Sequence, residues 1–302
     1  MRIAITGSSG LVGTCLVNAF LKDGHDLLLL VRKPGAGDPR CRHSLWDPER
    51  GVIDRDALEG MDAVIHLAGK SINGRFTRKH KEQVLSSRVK GTTLLSDTLA
   101  SLKRPPRVFL SASGIGLTHQ YDLVSDESNS LGDGFLPTVI QPWEASTQPA
   151  IQAGIRTVLL RFGIVLSKDG GALKQMLPVY RMGLGGKIGH GKQVMSWISI
   201  EEIPHILRFL MERETVSGVV NMTAPRPVTN EEFVRTLGKV LERPVLFPVP
   251  AFAIHLLFGE MGEELLLKGN PVLPKKLLDE GYTFRHPELE PALRRILGRE
   301  SG

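Results

Sequence analysis

Three glycines near the amino terminus constrain the fold of this chain more than any other feature. They follow a short β-type run, Arg2–Thr6, and stand three residues apart in the segment GSSGLVG, at Gly7, Gly10 and Gly13. Apolar residues then recur from Leu11 to Phe20 at the spacing of one helix face. A strand that passes through such a loop directly into a helix is typical of the first βαβ unit of an α/β domain.

Strand-like and helix-like segments alternate through the first 165 residues. The run Asp26–Val31 is continuously apolar after its first residue, as expected of a strand that is buried on both faces. The same pattern predicts strands at 43–46, 63–67, 107–110 and 157–160, and helices over 77–102 and about 143–153. Because strands that alternate with helices form a covered parallel sheet, the sequence predicts an α/β fold with a Rossmann-type doubly wound parallel sheet.

The residue pattern of the chain changes after residue 165. Glycines become frequent between residues 170 and 191, and a helix near 201–211 and a strand near 219–221 follow. The last 75 residues are predicted to be helices broken by prolines. We therefore predict a Rossmann domain over residues 1–170, to which about 195–222 return, and a small, mostly helical C-terminal lobe over 171–302 on the substrate side.

Composition excludes several classes of protein. With 41% hydrophobic residues in 302, the chain has the apolar content of a globular protein. Its longest apolar stretch, around Val249–Phe258, is about a dozen residues, below the roughly 20 that span a bilayer. Cys15 and Cys41 provide neither a disulfide framework nor a metal site. The amino terminus lacks the apolar segment of a secretory signal, so we expect a cytoplasmic protein without a membrane partner.

The charge balance favours anionic partners without naming one. The chain carries 38 Lys and Arg against 32 Asp and Glu, a net charge of +6. A nucleic-acid partner would require aromatic residues interleaved with the charges, and Phe76 is the only one in the basic run, so we expect none. The run forms either a cationic rim for a phosphorylated ligand or an ordinary solvated helix face, and it consists of Arg75, Arg78, Lys79, Lys81, Arg88 and Lys90.

The glycine loop predicts a dinucleotide site. Glycines at this place let the backbone approach a pyrophosphate, which lies against the N–H groups and the positive dipole end of the following helix. The second strand ends in Val31-Arg32-Lys33 rather than in an acid that would hold the ribose of NAD, and arginine suits the 2′-phosphate of NADP(H). The alternatives are a turn that only closes a strand–helix joint and a solvated loop at Arg32 and Lys33.

Further segments carry a resemblance to a known family. The glycine loop, the strand Asp62–Gly69 and the strand end Ser111–Ser113 resemble the extended short-chain dehydrogenase/reductase superfamily, which includes nucleotide-sugar epimerases. A narrower resemblance covers nearly the whole chain and is to an atypical, epimerase-like family of the NAD-dependent epimerase/dehydratase superfamily with its own C-terminal extension. The segments that carry it are Ser87-Arg88, Trp143-Glu144, Arg161–Leu166, Met195–Ile198, Thr223–Pro225 and Phe258–Met261.

The resemblance implies a set of cofactor-binding residues and, for the superfamily, a proton donor. The implied NADP(H) site is lined by Gly10, Leu11, Val12, Arg32, Leu67, Ala68, Gln83, Arg88 and Val165. Superfamily chemistry also needs a tyrosine followed four residues later by a lysine that lowers its pKa, and a serine that aligns the substrate. None of the three tyrosines of this chain has a lysine at that distance.

The positions of the missing pair can be located by counting back from Glu144. They hold Leu136 and Ile140, and neither side chain can move a proton. Ser113 matches the aligning serine, so it is a candidate catalytic residue, with a purely structural hydroxyl as the alternative. The chain also departs from the narrower family at Lys70, at Gly116–His119, at Ser199 and at Glu201.

Other residues in loops expected to face the nicotinamide are further candidates, but each is expected to be an ordinary surface residue. They are His119, Tyr121, Asp126 and Glu127. We expect His66 and Trp143 to be packed inside the protein and Trp197 to line the cleft wall.

The sequence therefore supports two hypotheses about function. The first is an NADP(H)-dependent oxidoreductase or epimerase-like enzyme that acts on a small molecule, with a homodimer as a possible assembly. The second is a non-catalytic regulatory protein that senses NADPH, and it is motivated by the missing tyrosine–lysine pair.

Overall fold

Strands and helices alternate along the described part of the chain. The computed structural model describes residues 1–33, 35, 37–117, 119–129 and 131–299. The strands are β1 (Arg2–Thr6), β2 (Asp26–Val31), β3 (Arg42–Asp47), β4 (Val52–Ile53), β5 (Ala63–His66), β6 (Val108–Gly114), β7 (Arg156–Phe162), β8 (Ile164–Leu166), β9 (Val194–Met195), β10 (Trp197–Ser199), β11 (Gly218–Met222) and β12 (Val228–Thr229).

The helices follow the same order along the chain. They are α1 (Leu11–Lys22), α2 (Arg55–Leu58), α3 (Arg78–Ala100), α4 (Phe135–Ala145), α5 (Gln148–Gln152), α6 (Gly171–Arg181), α7 (Ile203–Glu212), α8 (Asn230–Leu241), α9 (Ala251–Phe258), α10 (Glu260–Gly262), α11 (Lys275–Asp279) and α12 (Leu289–Ile296), with a π-helical turn at Glu263–Leu267.

Eight of the strands form one sheet. Their order is β11-β7-β6-β5-β1-β2-β3-β4, and neighbouring strands are parallel except for the antiparallel pair β3–β4. Strand order reverses direction at β1, between β5 and β2, which is the topological switch point where ligands bind in such sheets. The predicted α/β fold with a Rossmann-type doubly wound sheet is confirmed.

The central strands are buried on both faces because alternate residues enter two separate cores. Ile3 and Ile5 of β1 pack on one face with α1 and α7. Ala4, between them, packs on the other face with residues of α3 and α5. This alternation explains why the strands are continuously apolar rather than alternating with polar residues.

The helix predicted at about 143–153 is two helices, α4 and α5. The first begins eight residues earlier than predicted, at Phe135, and Pro142 lies inside it. The second has Pro149 in its first turn. Prolines at 137, 142 and 149 interrupt the helical pattern in the sequence, although α4 still presents a buried apolar face to the sheet.

A third core lies outside the sheet. It packs apolar residues of α6, α8, α12 and the short strand β10, with Phe233 and Trp197 fully buried at its centre. The short strand β10 pairs in parallel with β8, which directly follows β7 of the main sheet. None of the helices in the described ranges is both long enough and apolar enough to cross a membrane.

Candidate functional site

The glycine loop is pressed against the carboxyl end of β5. A Cβ atom on Gly7 would lie 2.8 Å from the backbone nitrogen of Ala68 and from the carbonyl carbon of Leu67. A Cβ atom on Gly13 would lie 2.2 Å from the carbonyl oxygen of Gly7. Gly7 also has φ +69°, a conformation that glycine adopts readily. Glycine is therefore required at both positions for the loop to close on the sheet.

The amino terminus of α1 has the features of an anion site. Gly10 precedes the helix, and among the described residues no side chain caps it and no acid occupies its first turn. The N–H of Gly10 donates to the carbonyl of Gly7 at 3.0 Å. This hydrogen bond closes the turn directly before Leu11 and Val12. The helix start is uncapped, and the glycines beside it leave a space that a Cβ atom would fill. Both features fit the pyrophosphate of a dinucleotide.

A buried polar network fixes the segment that follows β5. The hydroxyl of Thr6 accepts the N–H groups of Leu67 and Ala68 at 3.1 and 3.2 Å and lies 2.7 Å from Nδ1 of His66. With its lone pairs used, the hydroxyl donates to Nδ1, so Nε2 of His66 carries the proton and donates to Thr92 at 3.1 Å. This network holds Leu67 and Ala68 against the glycine loop.

His66 belongs to the interior, as predicted. Its side chain is fully buried. Burial, and secondarily the charge of Arg88, lowers the pKa of His66 to about 3. His66 is therefore neutral at physiological pH and serves as a fixed hydrogen-bonding group.

The predicted cofactor site has two basic side chains, Arg32 at the end of β2 and Arg88, which contacts the segment after β5. Arg32 directly follows β2 and is exposed, and no described carboxylate pairs with it. Arg88 on α3 donates from one terminal nitrogen to the carbonyls of Lys70 and Val84, at 2.9 and 3.0 Å. Its guanidinium lies 4.8 Å from the ring centre of Trp143.

Arg88 lacks a counter-ion within the described ranges. Its Nε is buried without a hydrogen-bond partner there, and burial lowers its pKa to about 10. An arginine without a paired acid beside the segment that follows β5 is suited to an anionic ligand.

The remaining predicted cofactor residues, Gln83 and Val165, lie on two different elements. Gln83 is exposed on α3. Val165 is on β8, and its carbonyl oxygen would lie 3.3 Å from a Cβ on Gly171. The side chain of Leu11 contacts the adjacent Gly170, so the loop before α6 lies over the start of α1. A cleft of about 960 Å³ begins at this junction and continues between α1 and α7.

Ser113 of β6 binds an ion pair that is formed by Glu144 of α4 and Arg161 of β7. Its hydroxyl donates to Oε1 of Glu144 at 2.7 Å. Arg161 donates two hydrogen bonds to the same carboxylate, at 2.7 and 2.8 Å. The side chains of Arg161 and Glu144 are only 11% and 13% exposed. The Ser113 proton is thus engaged by Glu144, and its oxygen remains able to accept a hydrogen bond from a substrate; the catalytic role stays a prediction.

The positions of the missing tyrosine and lysine belong to a small apolar cluster. Leu136 and Ile140 of α4 are 8% and 3% exposed and pack with Leu131. Partly buried apolar side chains close the cluster from the segment after β5, from the loop after β6 and from the π-helical turn; they are Ile72, Leu117 and Leu265. Neither of the two side chains at these positions, Leu136 and Ile140, can donate or accept a proton.

Two of the four loop candidates have structural roles. Asp126 accepts hydrogen bonds from the N–H and hydroxyl of Ser128 within its own turn. Glu127 accepts the N–H groups of Asn221 and Lys276, and thereby joins its loop to β11 and α11. Thr118, within the departing segment Gly116–His119, lies outside the described residues.

The expectation for Trp197 is wrong, whereas that for Trp143 is confirmed. Trp197 has no exposed surface, and its indole N–H donates to the carbonyl of Arg226 at 3.1 Å. It fills the third core rather than the cleft wall, because apolar neighbours in sequence do not reveal which core a strand residue enters. Trp143 is 8% exposed and lies beneath Arg88.

The other two loop candidates, His119 and Tyr121, meet three residues that the sequence did not single out. Nε2 of His119 lies 2.7 Å from Oε1 of Glu263, and Nε2 of His255 lies 3.3 Å from the other carboxylate oxygen. The Tyr121 hydroxyl lies 2.9 Å from Nε2 of His190 and 3.3 Å from Nδ1 of His119. We call these five residues the Tyr121 cluster.

The Tyr121 cluster joins three parts of the chain that are far apart in sequence. Its members come from the loop after β6, from the glycine-rich segment and from the C-terminal extension. No spacing rule links them, so only the presence of titratable residues in candidate loops could have drawn attention to them. Within the described ranges, no group of His, Cys, Asp and Glu is arranged to hold a metal ion.

Two models of known protein families match separate segments of the chain. A family model described as the NAD dependent epimerase/dehydratase family matches residues 3–132, and one described as a domain of unknown function (DUF1731) matches residues 249–296. The epimerase family protein Mb2239 of Mycobacterium bovis is 39% identical over 96% of each chain. The epimerase family protein YfhF of Bacillus subtilis is 34% identical over 98% of each chain.

A solved structure extends the similarity to three dimensions. The crystal structure of human epimerase family protein SDR39U1 with NADPH has a TM-score of 0.89 and 34% identity, and the match covers 99% of this chain and 100% of that one. The similarity in sequence and in structure therefore extends over nearly the whole of both chains. The chain therefore belongs to the epimerase family of SDR39U1-like proteins, which combine the NAD-dependent epimerase/dehydratase fold with a DUF1731 extension.

Proposed function

We propose that this protein binds NADP(H) in the cytoplasm and acts as an oxidoreductase or epimerase-like enzyme on a small molecule. The observation that carries the proposal is the uncapped start of α1, which the loop from Gly7 to Gly13 presents beside the end of β5. The human relative whose fold this chain shares was crystallised with NADPH. Both point to a phosphorylated dinucleotide at the switch point of the sheet.

Specific residues would hold the parts of the dinucleotide. The N–H groups of Leu11 and Val12 would face the pyrophosphate, and Leu67 and Ala68 would border the ribose beside the loop. The exposed guanidinium of Arg32 would bind the 2′-phosphate, since arginine presents several donors to a phosphate. When bound, the nicotinamide supplies hydride chemistry, while the protein positions the substrate and handles the proton.

Cofactor preference tests the proposal through Arg32. We expect Arg32→Ala to weaken NADPH binding at least about tenfold and to leave NADH binding within about twofold, because only NADPH has a 2′-phosphate to lose a charged partner. Titration calorimetry of the wild type and variant with both cofactors measures this. Arg50→Ala, which removes another exposed arginine, is the matched control. Equal losses for both cofactors would contradict the 2′-phosphate role.

Turnover tests the enzymatic part separately. Purified protein with NADPH or NADP⁺ should reduce or epimerise at least one member of a broad panel of carbonyls and nucleotide sugars, with reduction followed as loss of NADPH absorbance and epimerisation by analysis of the sugar products. Tight NADPH binding without turnover of any panel member would count against an enzyme.

A second function is favoured by the apolar cluster around Leu136 and Ile140. A regulatory protein that senses NADPH has no need of an acid/base group at that place. In that case, retention of a partner protein should change with the ratio of NADPH to NADP⁺. Hydride transfer that is lost in Ser113→Ala would rule this function out.

A further inference from the structure

Tyr121 lies in a loop that is bound to the cofactor side of the fold. The loop follows Gly114, at the carboxyl end of β6, where ligands of parallel sheets bind. Asn270 donates to the carbonyl of Leu123 and to the hydroxyl of Ser125, and the carbonyl of Asn270 accepts from Ser196. Ser196 in turn accepts the N–H of Ile164, at the start of β8. This chain of contacts connects the Tyr121 loop to the strand that carries Val165.

The hydrogen bonds of the Tyr121 cluster have a definite direction. Nδ1 of His190 accepts the N–H of Lys192 at 2.9 Å, so the neutral imidazole carries its proton on Nε2 and donates it to the Tyr121 oxygen. In the neutral form of His119 the proton lies on Nε2, which faces the Glu263 carboxylate, and Nδ1 is an acceptor. The Tyr121 hydroxyl can thus donate to His119 Nδ1 at 3.3 Å or to the carbonyl of Leu267 at 3.4 Å.

We propose that Tyr121, His119 and Glu263 form a proton relay that supplies the acid/base group missing at Leu136 and Ile140, with Tyr121 as the catalytic residue. This proposal rests on the proposed function, because it assigns the proton step of the same site. The expected substrate is an alcohol or the corresponding carbonyl compound. His119 and Glu263 act through Tyr121, and His190 positions it.

The relay moves one proton through two bonds. In the direction of alcohol oxidation, for which NADP⁺ would be the hydride acceptor, the substrate O–H bond breaks and its proton binds the Tyr121 oxygen, while the electron pair stays on the substrate oxygen. The original Tyr121 O–H bond breaks at the same time, and that proton binds Nδ1 of His119. The resulting imidazolium is stabilised by the Glu263 carboxylate 2.7 Å away. Reduction of a carbonyl uses the same bonds in reverse.

The electrostatics suit a tyrosine that remains neutral. Burial, and secondarily the negative charge of Glu263, raises the pKa of Tyr121 above its usual value. The phenol therefore stays protonated and passes a proton on instead of accumulating as phenolate. The other groups that face the relay are His190 from the glycine-rich segment and His255 of α9, which shares the Glu263 carboxylate.

Imidazole NMR of the full-length protein tests the relay without any substrate. Because Nε2 of His119 lies 2.7 Å from the Glu263 carboxylate, we expect Glu263→Gln to change the ¹⁵N shift of that nitrogen. Neutral His119 should carry its proton on Nε2, and Tyr121→Phe should change the ¹⁵N shift of its Nδ1. His25, which lies outside the cluster, is the internal control. A His119 Nε2 resonance that does not respond to Glu263→Gln, or a neutral form protonated on Nδ1, overturns the relay.

Kinetics then test whether the relay serves catalysis. With a substrate that the wild type turns over, we expect Tyr121→Phe to lower kcat about a hundredfold or more while the NADPH dissociation constant stays unchanged. Because Glu263 stabilises the imidazolium that forms when His119 accepts the proton, Glu263→Gln should also lower kcat for alcohol oxidation, by less than Tyr121→Phe does. His25→Ala should leave kcat unchanged.

The outcomes separate this proposal from the proposed function. Wild-type protein that does not bind NADPH would refute the proposed function. Wild-type protein that binds NADPH and turns over substrate, with Tyr121→Phe retaining full kcat, would refute the relay alone. Unfolding temperatures of each variant exclude a loss of fold as the cause.

Discussion

At the scale of single residues, a neutral buried histidine is the most informative side chain. His66 donates to Thr92 and accepts from Thr6, and this arrangement fixes the backbone of Leu67 and Ala68 beside the glycine loop. Protonation would break the bond to Thr6 and place a charge among apolar neighbours and near Arg88. An uncharged His66 is therefore part of the network that orders the segment after β5.

His66 makes stability depend on pH in a direction that can be stated. Its pKa is about 3 in the folded protein, below the ordinary value of 6.5, so the unfolded chain binds a proton that the folded protein does not. Its contribution to stability is full above pH 6.5 and is lost as the pH falls toward 3, by up to about 1.4 kcal/mol per pH unit.

Urea unfolding at several pH values between 7 and 4 measures this contribution. The wild type should lose more free energy of unfolding over this range than His66→Gln does. His43→Gln, a histidine substitution on strand β3, should follow the wild type. Parallel curves for the wild type and His66→Gln would show that protonation of His66 does not contribute.

At the scale of elements, α4 is fixed at both ends by charged groups. Near its carboxyl end, Glu144 binds Arg161 of β7 and Ser113 of β6. At its amino end, the N–H of Phe135 donates to Glu264, whose carboxylate lies 2.5 Å from Lys268 in a pair that is less than a tenth exposed. Between these ends, the buried face of α4 carries Leu136 and Ile140, at the positions where the superfamily pattern places its tyrosine and lysine.

Loss of one partner of the Glu144–Arg161 pair should be costly. Arg161→Met leaves a carboxylate with little solvent, and we expect the free energy of unfolding to fall by about 3–5 kcal/mol. The double variant Arg161→Met/Glu144→Leu should recover part of that loss, since no unpaired charge remains. Urea unfolding of both variants and the wild type measures the difference. Equal stability of single and double variants would mean that the charge is not effectively buried.

At the scale of the whole molecule, the C-terminal extension holds the other parts together. The segment around Asn270 and Val272 binds the loop after β6, the strand region at Ser196 and the end of β11 at Thr223. Lys276 of α11 donates to the carbonyl of Ser217, just before β11. Ordering of the cofactor-binding side should therefore change the free energy of unfolding of the entire protein.

Cofactor binding should accordingly raise the unfolding temperature. A ligand that binds only the folded protein stabilises it by about 2.7 kcal/mol at a hundred times its dissociation constant. Thermal unfolding with increasing NADPH should show a steady rise of the unfolding temperature, and Arg32→Ala should need a correspondingly higher concentration. An unfolding temperature that does not respond to saturating NADPH would contradict the proposed site.

The parts of this molecule that sequence predicts are those with local patterns. The glycine loop, strand β2 and the strand that ends at His66 follow from short-range spacing, because period and turn chemistry are set by neighbours. The place of Trp197 and the start of α4 do not, since they depend on which core a face meets. The sequence marks His119 and Tyr121 as candidates but does not predict the rest of the Tyr121 cluster, because His119 and Glu263 are brought together only by tertiary packing.

The apolar cluster around Leu136 and Ile140 also limits how this chain could exchange chemistry with its relatives. A tyrosine and a lysine written into those two positions would bring a phenol and an ammonium into space lined by leucine and isoleucine side chains. Each polar group without a partner there would cost several kcal/mol. Introducing the tyrosine and the lysine into this chain would therefore also require polar partners for them in place of neighbours such as Leu117, Leu131 or Leu265.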